Sequence, residues 1–519
     1  MLTLISIIIA AVAGMFALTR QLHMLQQNSY FNSRYLSWAK EYFGFKTIFS
    51  FFLFVISCSF IKIEWLVLSI VCVLSLIKIM HTFSFQKKAI KPLVFTARVK
   101  RMYVTAGIVF AALCVCAFLF ENVASYLLIA CLAFFCFPGI VAVMVNLINA
   151  PIENLVKLWY IGDAKKKLRS LDKMKIIGIT GSYGKTSTKH ILARILNEKY
   201  NVCFTPGSFN TPMGVVRTIR EYMKSQTEIF VCEMGAKNVG DIDEICRIVK
   251  PDIAMITSVG PQHLNTFKSI ENIVKTKFEL ADSVKKKGGK VYLSTDNSYI
   301  NAKSGEYDSV TYGTNSDSAY RAENITCGPA GTKFDVVYND NRVALSTKLL
   351  GMHNVINITG AVAIAIELGV AERDIIFAVS KLEQTEHRLQ LKPFIKGATL
   401  IDDAYNANPE GCMEAVRVLG SFDGMKKVIV TPGLVELGER EYQCNYDLGL
   451  QCTKYCDEII LVGKERSKPM TDAIATTDFD KNHLHVVASF KDAVAIMQNM
   501  LDANYAVLFE NDLPDNYAK

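Results

Sequence analysis

Residues 175–200 read KIIGITGSYGKTSTKHILARILNEKY. Lys175–Thr180 is a short run rich in β-branched residues, the composition of a buried strand. Gly181-Ser182-Tyr183-Gly184-Lys185-Thr186-Ser187 follows, and the residues after it have helical spacing. Strand, glycine turn, then Lys-Thr opening a helix is the order that cradles phosphates, because backbone N–H groups and the positive helix end face the anion. In that arrangement Lys185 neutralises the β- and γ-phosphates and the Thr186 hydroxyl ligates Mg²⁺. Gly181, Ser182, Gly184 and Ser187 complete the expected nucleotide contacts. Ile179 occupies the place of the first glycine of the usual phosphate-loop pattern, five residues before Gly184.

Beyond this loop, strand-like runs (EIFVCEMG, DIAMITSVG, GKVYLST) alternate with helical patterns. That alternation predicts a parallel α/β fold. Glu233 ends the first of these strands, His263 follows the second, and Lys277 lies on a predicted helix. Ligands of open α/β sheets gather at the carboxyl ends of strands, where Glu233 and His263 fall. A carboxylate and an imidazole suit a Mg²⁺ site that also uses substrate phosphate oxygens. Taken singly, the three read as a helix cap, a loop histidine and a solvated lysine; the phosphate loop upstream makes them a set.

The N-terminal part has a different texture. The chain has 519 residues, enough for several domains of roughly 100–200 residues each, and is 51% hydrophobic but only 20% charged. Mean hydropathy is +0.23. This composition excludes a disordered chain, a collagen-like chain and a disulfide scaffold. The 14 cysteines are scattered, without paired zinc knuckles, and read as inert thiols of a reducing compartment. Residues 1–150 hold 12 Lys and Arg against three Glu and no Asp, so they carry the whole basic excess of a chain with net charge +8. Basic loops between apolar stretches indicate membrane topology rather than nucleic-acid binding.

Five apolar runs lie there: Leu2–Leu18, Phe45–Ile61, Trp65–Ile79, Tyr103–Phe120 and Ala124–Ile148. The last two reach the roughly 20 residues that a spanning helix needs; the second and third form either a tight hairpin of spans or a re-entrant pair. The first lacks a basic leader and reads as a retained anchor. Basic residues cluster after the first run (Arg20, Arg34, Lys40, Lys46) and after the third (Lys87, Lys88, Lys91, Arg98, Lys100, Arg101). The positive-inside rule then predicts a multi-pass cell-membrane protein with its N-terminus outside and everything after Ile148 in the cytoplasm. The expected organisation is an all-α multi-pass membrane domain (1–150), a basic amphipathic connector on the membrane surface (151–172), a phosphate-loop parallel-sheet ATPase domain (173–384) and a C-terminal Rossmann-like α/β domain (385–519).

The motifs TGSYGKTS, TPGSFNTPMG, EMGAKNVGDI, HLNTFKSIENIVKTKFEL, LLGMHNVINITGAVAIAIELG, HRLQ, LIDDAYNANPEGC and TPGLVELGE occur in order from Lys175 onward. This set resembles the Mur ligase family, and its MurF branch most closely. The resemblance implies an ATP- and Mg²⁺-dependent carboxylate–amine ligase of cell-wall precursor synthesis. Such an enzyme activates an acceptor carboxylate as an acyl phosphate and joins D-Ala-D-Ala or a similar amine to a muramoyl-peptide. It implies that Lys185 and Thr186 serve phosphate and Mg²⁺, and that Glu233 and His263 are metal ligands. Lys277 matches a lysine carbamylated to bridge Mg²⁺. Asn354 and Asn357 match a segment near adenine, Arg388 a C-terminal catalytic arginine, and Asp403 a ribose contact. Asn210, with Thr211 beside it, lies in the acceptor loop; Asp402, Tyr405, Asn406 and Asn408 lie on the loop facing nucleotide and amine.

Three features depart from the pattern. Thr211 stands where a second Asn is usual, Asn445 where a His is common, and the chain reads VLFENDLPDNY where a lysine-glycine-serine ending is typical. Membrane segments also replace the soluble domain that usually holds the UDP-sugar, so the acceptor is expected to be either UDP- or lipid-linked, with membrane lipid as a further partner. The rival readings are a membrane ligase building another amide-linked polymer, such as poly-γ-glutamate, and an inactive membrane scaffold.

Overall fold

The computed structural model describes residues 2–40, 92–117, 123, 129, 136–262, 264–384, 389–404, 409–435, 437 and 440–511. The expected runs at 45–61 and 65–79 lie outside these residues, as do His263, Arg388, Tyr405, Asn406 and Asn408. The chain divides into two compact units, residues 1–160 and 161–519.

The first unit is helical. Its helices include Leu2–Gln27, Ala97–Ala117 and the first part of Pro138–Arg169. Leu18, Leu22, Leu25, Tyr35, Met102, Ala106, Ala142 and Val145 form its core. Polar ties cross that core: Asn146 donates to the Tyr30 carbonyl (2.9 Å) and the Asn32 side chain (2.8 Å), and Arg101 grips both oxygens of Glu153. Among the described residues, one helix, Pro138–Arg169, is long and apolar enough to cross a membrane. Ile140, Leu147, Leu155, Leu158 and Trp159 stand exposed along it. The helix runs through Pro151, the expected boundary between membrane domain and connector. Proline at that point removes one N–H from the ladder, yet the helix continues on both sides.

The second unit holds two sheets. The first has strands β1 (Lys175–Thr180), β2 (Val202–Phe204), β3 (Ile229–Glu233), β4 (Ile253–Ile256), β5 (Lys290–Ser294), β6 (Ser309–Gly313), β7 (Tyr320–Gly328), β8 (Gly331–Tyr338) and β9 (Asn341–Thr347). Their order is β2-β3-β1-β4-β5-β6-β7-β8-β9, parallel from β2 to β7 and then antiparallel. Strands β1, β3 and β4 are buried almost throughout, as a parallel sheet covered by helices requires. The helices Lys185–Leu196 and Met352–Glu367 pack on each other over one face, with Ile191, Leu192, Ile195, Val355, Ile358 and Val362 in the shared core.

The second sheet has β10 (Gln390–Pro393), β11 (Thr399–Asp403), β12 (Lys426–Thr431), β13 (Glu458–Val462), β14 (Leu484–Val487) and β15 (Tyr505–Glu510). Their order is β10-β11-β15-β12-β13-β14, parallel except for the edge strand β10. The two sheets and their crossovers agree with the expected α/β architecture. The antiparallel β7–β9 extension is an addition to that expectation.

Candidate functional site

Strand β1 lies between β3 and β4. The chain goes from β1 to one side of the sheet and later returns to the other, so a crevice opens beyond the carboxyl end of β1. Gly181 sits at that end, and a Cβ there would stand 2.1 Å from Thr257 Oγ1, so only glycine fits. The turn is fastened to the segment after β4. Ser182 N donates to the Ser258 carbonyl (2.7 Å) and Tyr183 N to Ser258 Oγ (2.9 Å). Thr257 Oγ1 donates to the Tyr183 carbonyl at 2.6 Å. Ser182 Oγ bridges both backbone groups of Gly260 at 3.0 Å.

Gly184 takes a left-handed conformation, φ 79°, and opens the helix Lys185–Leu196. A side chain there would be strained and would also crowd Asn357, whose Oδ1 lies 3.1 Å from the place of a Cβ. Asn357 of the Met352–Glu367 helix is thereby brought to the loop. Asn354, one turn earlier, donates to the Leu350 carbonyl at 2.8 Å.

Lys185 folds back over the loop and donates to the carbonyls of Gly181 (2.7 Å) and Ser182 (3.0 Å). Burial pulls its pKa down, and the nearby charge of Glu233 opposes that shift. Half-exposed Ser187 follows in the first helical turn.

Glu233 ends β3 fully buried, in register with Ile179 of β1. Its carboxylate accepts from Thr186 Oγ1 (3.1 and 3.2 Å), Asn210 Nδ2 (2.9 Å) and Lys189 Nζ (2.9 Å). The Lys189 ammonium also donates to the Gly207 carbonyl at 2.7 Å, and no part of either charged side chain reaches solvent appreciably. Lys277 is buried on the helix Ile270–Lys286. Burial, and after it the charge of Lys185, pushes its pKa down to about 7. Two lysines, Lys185 and Lys189, therefore act on the Glu233 carboxylate, and Lys277 adds a third cation that feels the charge of Lys185.

The donor set suits a hard divalent cation. A hydroxyl and a carboxylate already within hydrogen-bond distance of each other are oxygen ligands of the type Mg²⁺ takes. Among the described residues no three His, Cys, Asp or Glu are grouped so as to hold a metal unaided. Phosphate oxygens would have to complete the shell. Thr211, expected in the acceptor loop, accepts from Gly214 N through its side chain and caps the helix Pro212–Glu221.

On the second sheet, Asp402 and Asp403 end β11. Asp402 is buried and accepts from Lys392 Nζ at 2.6 Å. Asp403 Oδ1 accepts from Leu389 N at 3.0 Å. Asn445, at the departure noted above, is buried in a structural role. It accepts from Leu434 N (2.8 Å) and donates to the carbonyls of Leu434 and Glu441, both at 2.9 Å.

The sequence reading missed Lys189, Thr257 and Ser258. Lys189 had a signal, being a second lysine one helical turn beyond Lys185 and hence on the same face. Thr257 and Ser258 had a weaker one, as hydroxyls directly after a parallel strand.

A Mur ligase middle domain model matches residues 179–365, and a Mur ligase glutamate ligase domain model matches residues 387–510. The UDP-N-acetylmuramoyl-tripeptide–D-alanyl-D-alanine ligase of Bacillus subtilis (strain 168) is 31% identical over 349 residues, 67% of this chain and 75% of the relative. The enzyme of the same name from Escherichia coli K12 is 28% identical over 309 residues, 59% of this chain and 68% of the relative. Among solved structures, MurF from Acinetobacter baumannii superposes with a TM-score of 0.58 at 25% identity, covering 69% of this chain and 77% of that one. MurF from Thermotoga maritima in complex with ADP shares the fold at a TM-score of 0.58, with 24% identity over 69% of this chain and 80% of that one.

Proposed function

This chain belongs to the Mur ligase family, and we propose that it is the ATP-dependent ligase that joins D-Ala-D-Ala to UDP-MurNAc-tripeptide in peptidoglycan synthesis. The observation that carries the reading is the meeting of Glu233 with Thr186, 47 residues away, at the mouth of the helix that Lys185 opens. A phosphate loop with a buried carboxylate facing its Lys-Thr pair is equipped for phosphoryl transfer, which is chiefly positioning and charge neutralisation.

The chain's own residues then divide the work. The glycine turn, clamped by Thr257 and Ser258, presents a rigid cradle for the phosphates. Lys185, freed from its two loop carbonyls, meets the β- and γ-oxygens. Thr186 and Glu233 would hold Mg²⁺, with His263 and Lys277; the metal supplies neutralisation of phosphate charge. Asn357 borders the nucleotide beside Gly184, and Arg388 and Asp403 are the residues of the C-terminal domain assigned to it. The acceptor carboxylate attacks the γ-phosphate, giving an acyl phosphate and ADP. The incoming amine attacks the acyl carbon, and phosphate leaves. Asn210 is tied to Glu233 and so couples the acceptor loop to the phosphate site. Exclusion of water protects the acyl phosphate.

Lys277 is suited to carbamylation. A lysine whose pKa lies near 7 keeps much of its amine neutral at physiological pH, and a neutral amine adds CO₂ with loss of one proton. The product is an anion within reach of the Lys185 ammonium, suited to bridge a cation.

The N-terminal unit is proposed to anchor the enzyme in the cell membrane with the catalytic domains in the cytoplasm. Its basic segments and the long apolar helix Pro138–Arg169 support this. On the same ground the acceptor is proposed to be either the UDP-linked or the lipid-linked muramoyl-peptide. The test is ADP release by the full chain in detergent with ATP, Mg²⁺, D-Ala-D-Ala and each acceptor in turn. Release with the UDP-linked tripeptide is expected; release with neither acceptor overturns the reading.

A further inference from the structure

Glu510 ends β15 at the departure from the usual lysine-glycine-serine ending, and β15 pairs with β11 so that Glu510 lies in register with Asp403. The Glu510 side chain is completely buried. Its Oε1 accepts from the Cys412 thiol at 2.7 Å. Its Oε2 is enclosed and has no donor to accept from, yet Asp403, its register partner on β11, is the strongest-acting carboxyl. Two ionised carboxylates have no proton to put between them. A buried oxygen left without a partner is costly, and a buried charge more so. Both costs vanish if Oε2 carries a proton and donates it to Asp403.

We propose that Glu510 and Asp403 share one proton, with Glu510 as the protonated donor, so that Asp403 is held ionised and oriented for the nucleotide. Glu510 is thus a positioning residue that acts through Asp403. This rests on the reading of Asp403 as a nucleotide contact. The titratable groups that act most strongly on Glu510 are Asp403 from β11, Cys412 from the helix Pro409–Gly420 and Cys452 from the helix Glu441–Tyr455. None of them is a cation. Burial first and the Asp403 charge second raise the Glu510 pKa well above its ordinary value of 4.5, in agreement with the geometry. Folded protein then binds a proton that the unfolded chain has lost above about pH 4.5, so this group makes stability fall as pH rises from there to its folded pKa.

The experiment compares wild type, Glu510→Gln and Glu510→Leu as full chains in detergent. Binding of a non-hydrolysable ATP analogue and the thermal midpoint are measured from about pH 5 to 9. Gln keeps a donor at the Oε2 position without a titrating proton. Wild type is expected to lose analogue affinity and thermal stability as pH rises, and Glu510→Gln to lack that component of both profiles. Glu510→Leu is expected to stay folded but to bind the analogue about tenfold more weakly at every pH, the effect of one lost hydrogen bond to a charged group. Identical pH profiles for wild type and Glu510→Gln, or wild-type affinity in Glu510→Leu, overturn the proposal. If wild type binds no analogue at any pH, the ligase reading fails, and the thermal profiles still decide whether the proton is shared.

Discussion

The two sheets of the second unit solve opposite electrostatic problems with one architecture. Each is a mainly parallel α/β sheet, and each gathers its chemistry where strands end. At the end of β1 and β3, Lys189 pairs with the buried carboxylate of Glu233, Lys185 feels its charge, and Lys277 lies within reach of Lys185. At the end of β11 and β15, Asp403 and Glu510 lie in register, and the strongest charge acting on Glu510 is that of another carboxylate, Asp403. The first site is built to receive a polyanion. The second disposes of a surplus negative charge internally, by protonation. Architecture alone says where a site lies; the charges placed there say what it receives.

The comparison breaks most visibly at Lys185. Lys185→Ala removes the group facing the β- and γ-phosphates, and kcat/KM for ATP is expected to fall by about a thousandfold or more, as for loss of a preorganised charge at a reacting group. Steady-state ADP release measures it. A variant with undiminished activity removes the contrast, because the cation-rich end would then not serve phosphate transfer.

A second break concerns stability. Lys189→Met strands the buried Glu233 carboxylate, whose ion pair with Lys189 has almost no solvent access. The expected cost is about 3–5 kcal/mol, read by chemical denaturation of the full chain in detergent. The analogous neutralisation at the other sheet, Glu510→Gln, is expected to leave neutral-pH stability unchanged or raised. Opposite signs at the two sheets are the sharpest form of the contrast.

The smallest effect is a pH dependence. Lys277 titrates near 7 because burial and Lys185 disfavour its ammonium form. As pH falls through about 7 the amine takes up a proton, cannot add CO₂, and repels a cation, so kcat is expected to fall in that window. Lys277→Met should remove this pH dependence from the turnover that remains. A wild-type kcat that is flat through this range contradicts the assignment.

Much of the first site is legible because it is local. A β-branched strand, two glycines and a Lys-Thr pair are contiguous, and each is dictated by backbone geometry within a few residues. Glu233 is legible for the same reason, as the polar end of an apolar run. Lys189 and Ser258 are harder to read because their meaning lies in partners 44 and 75 residues away. Pairing over such distances is decided by sheet order, which has no local signature. The hairpin between β8 and β9 was within reach, since Asn339 and Asp340 both take positive φ, 43° and 64°, and Asn-Asp between two alternating strands is turn chemistry. Glu510 marks the limit of sequence reading. An acidic residue after an apolar strand normally reads as solvated, and only the folded structure shows that Glu510 is sealed inside, beside Asp403.

The placement of β15 also bears on biogenesis. Although late in the chain, this strand lies between β11 and β12 and pairs with both. While the ribosome is still delivering it, those two neighbours present open edges of unpaired amides and carbonyls, the surfaces on which chains stick to one another. The C-terminal domain therefore completes its sheet only after nearly all of it has been synthesised, and a premature stop before Tyr505 would leave an aggregating product rather than a shorter enzyme.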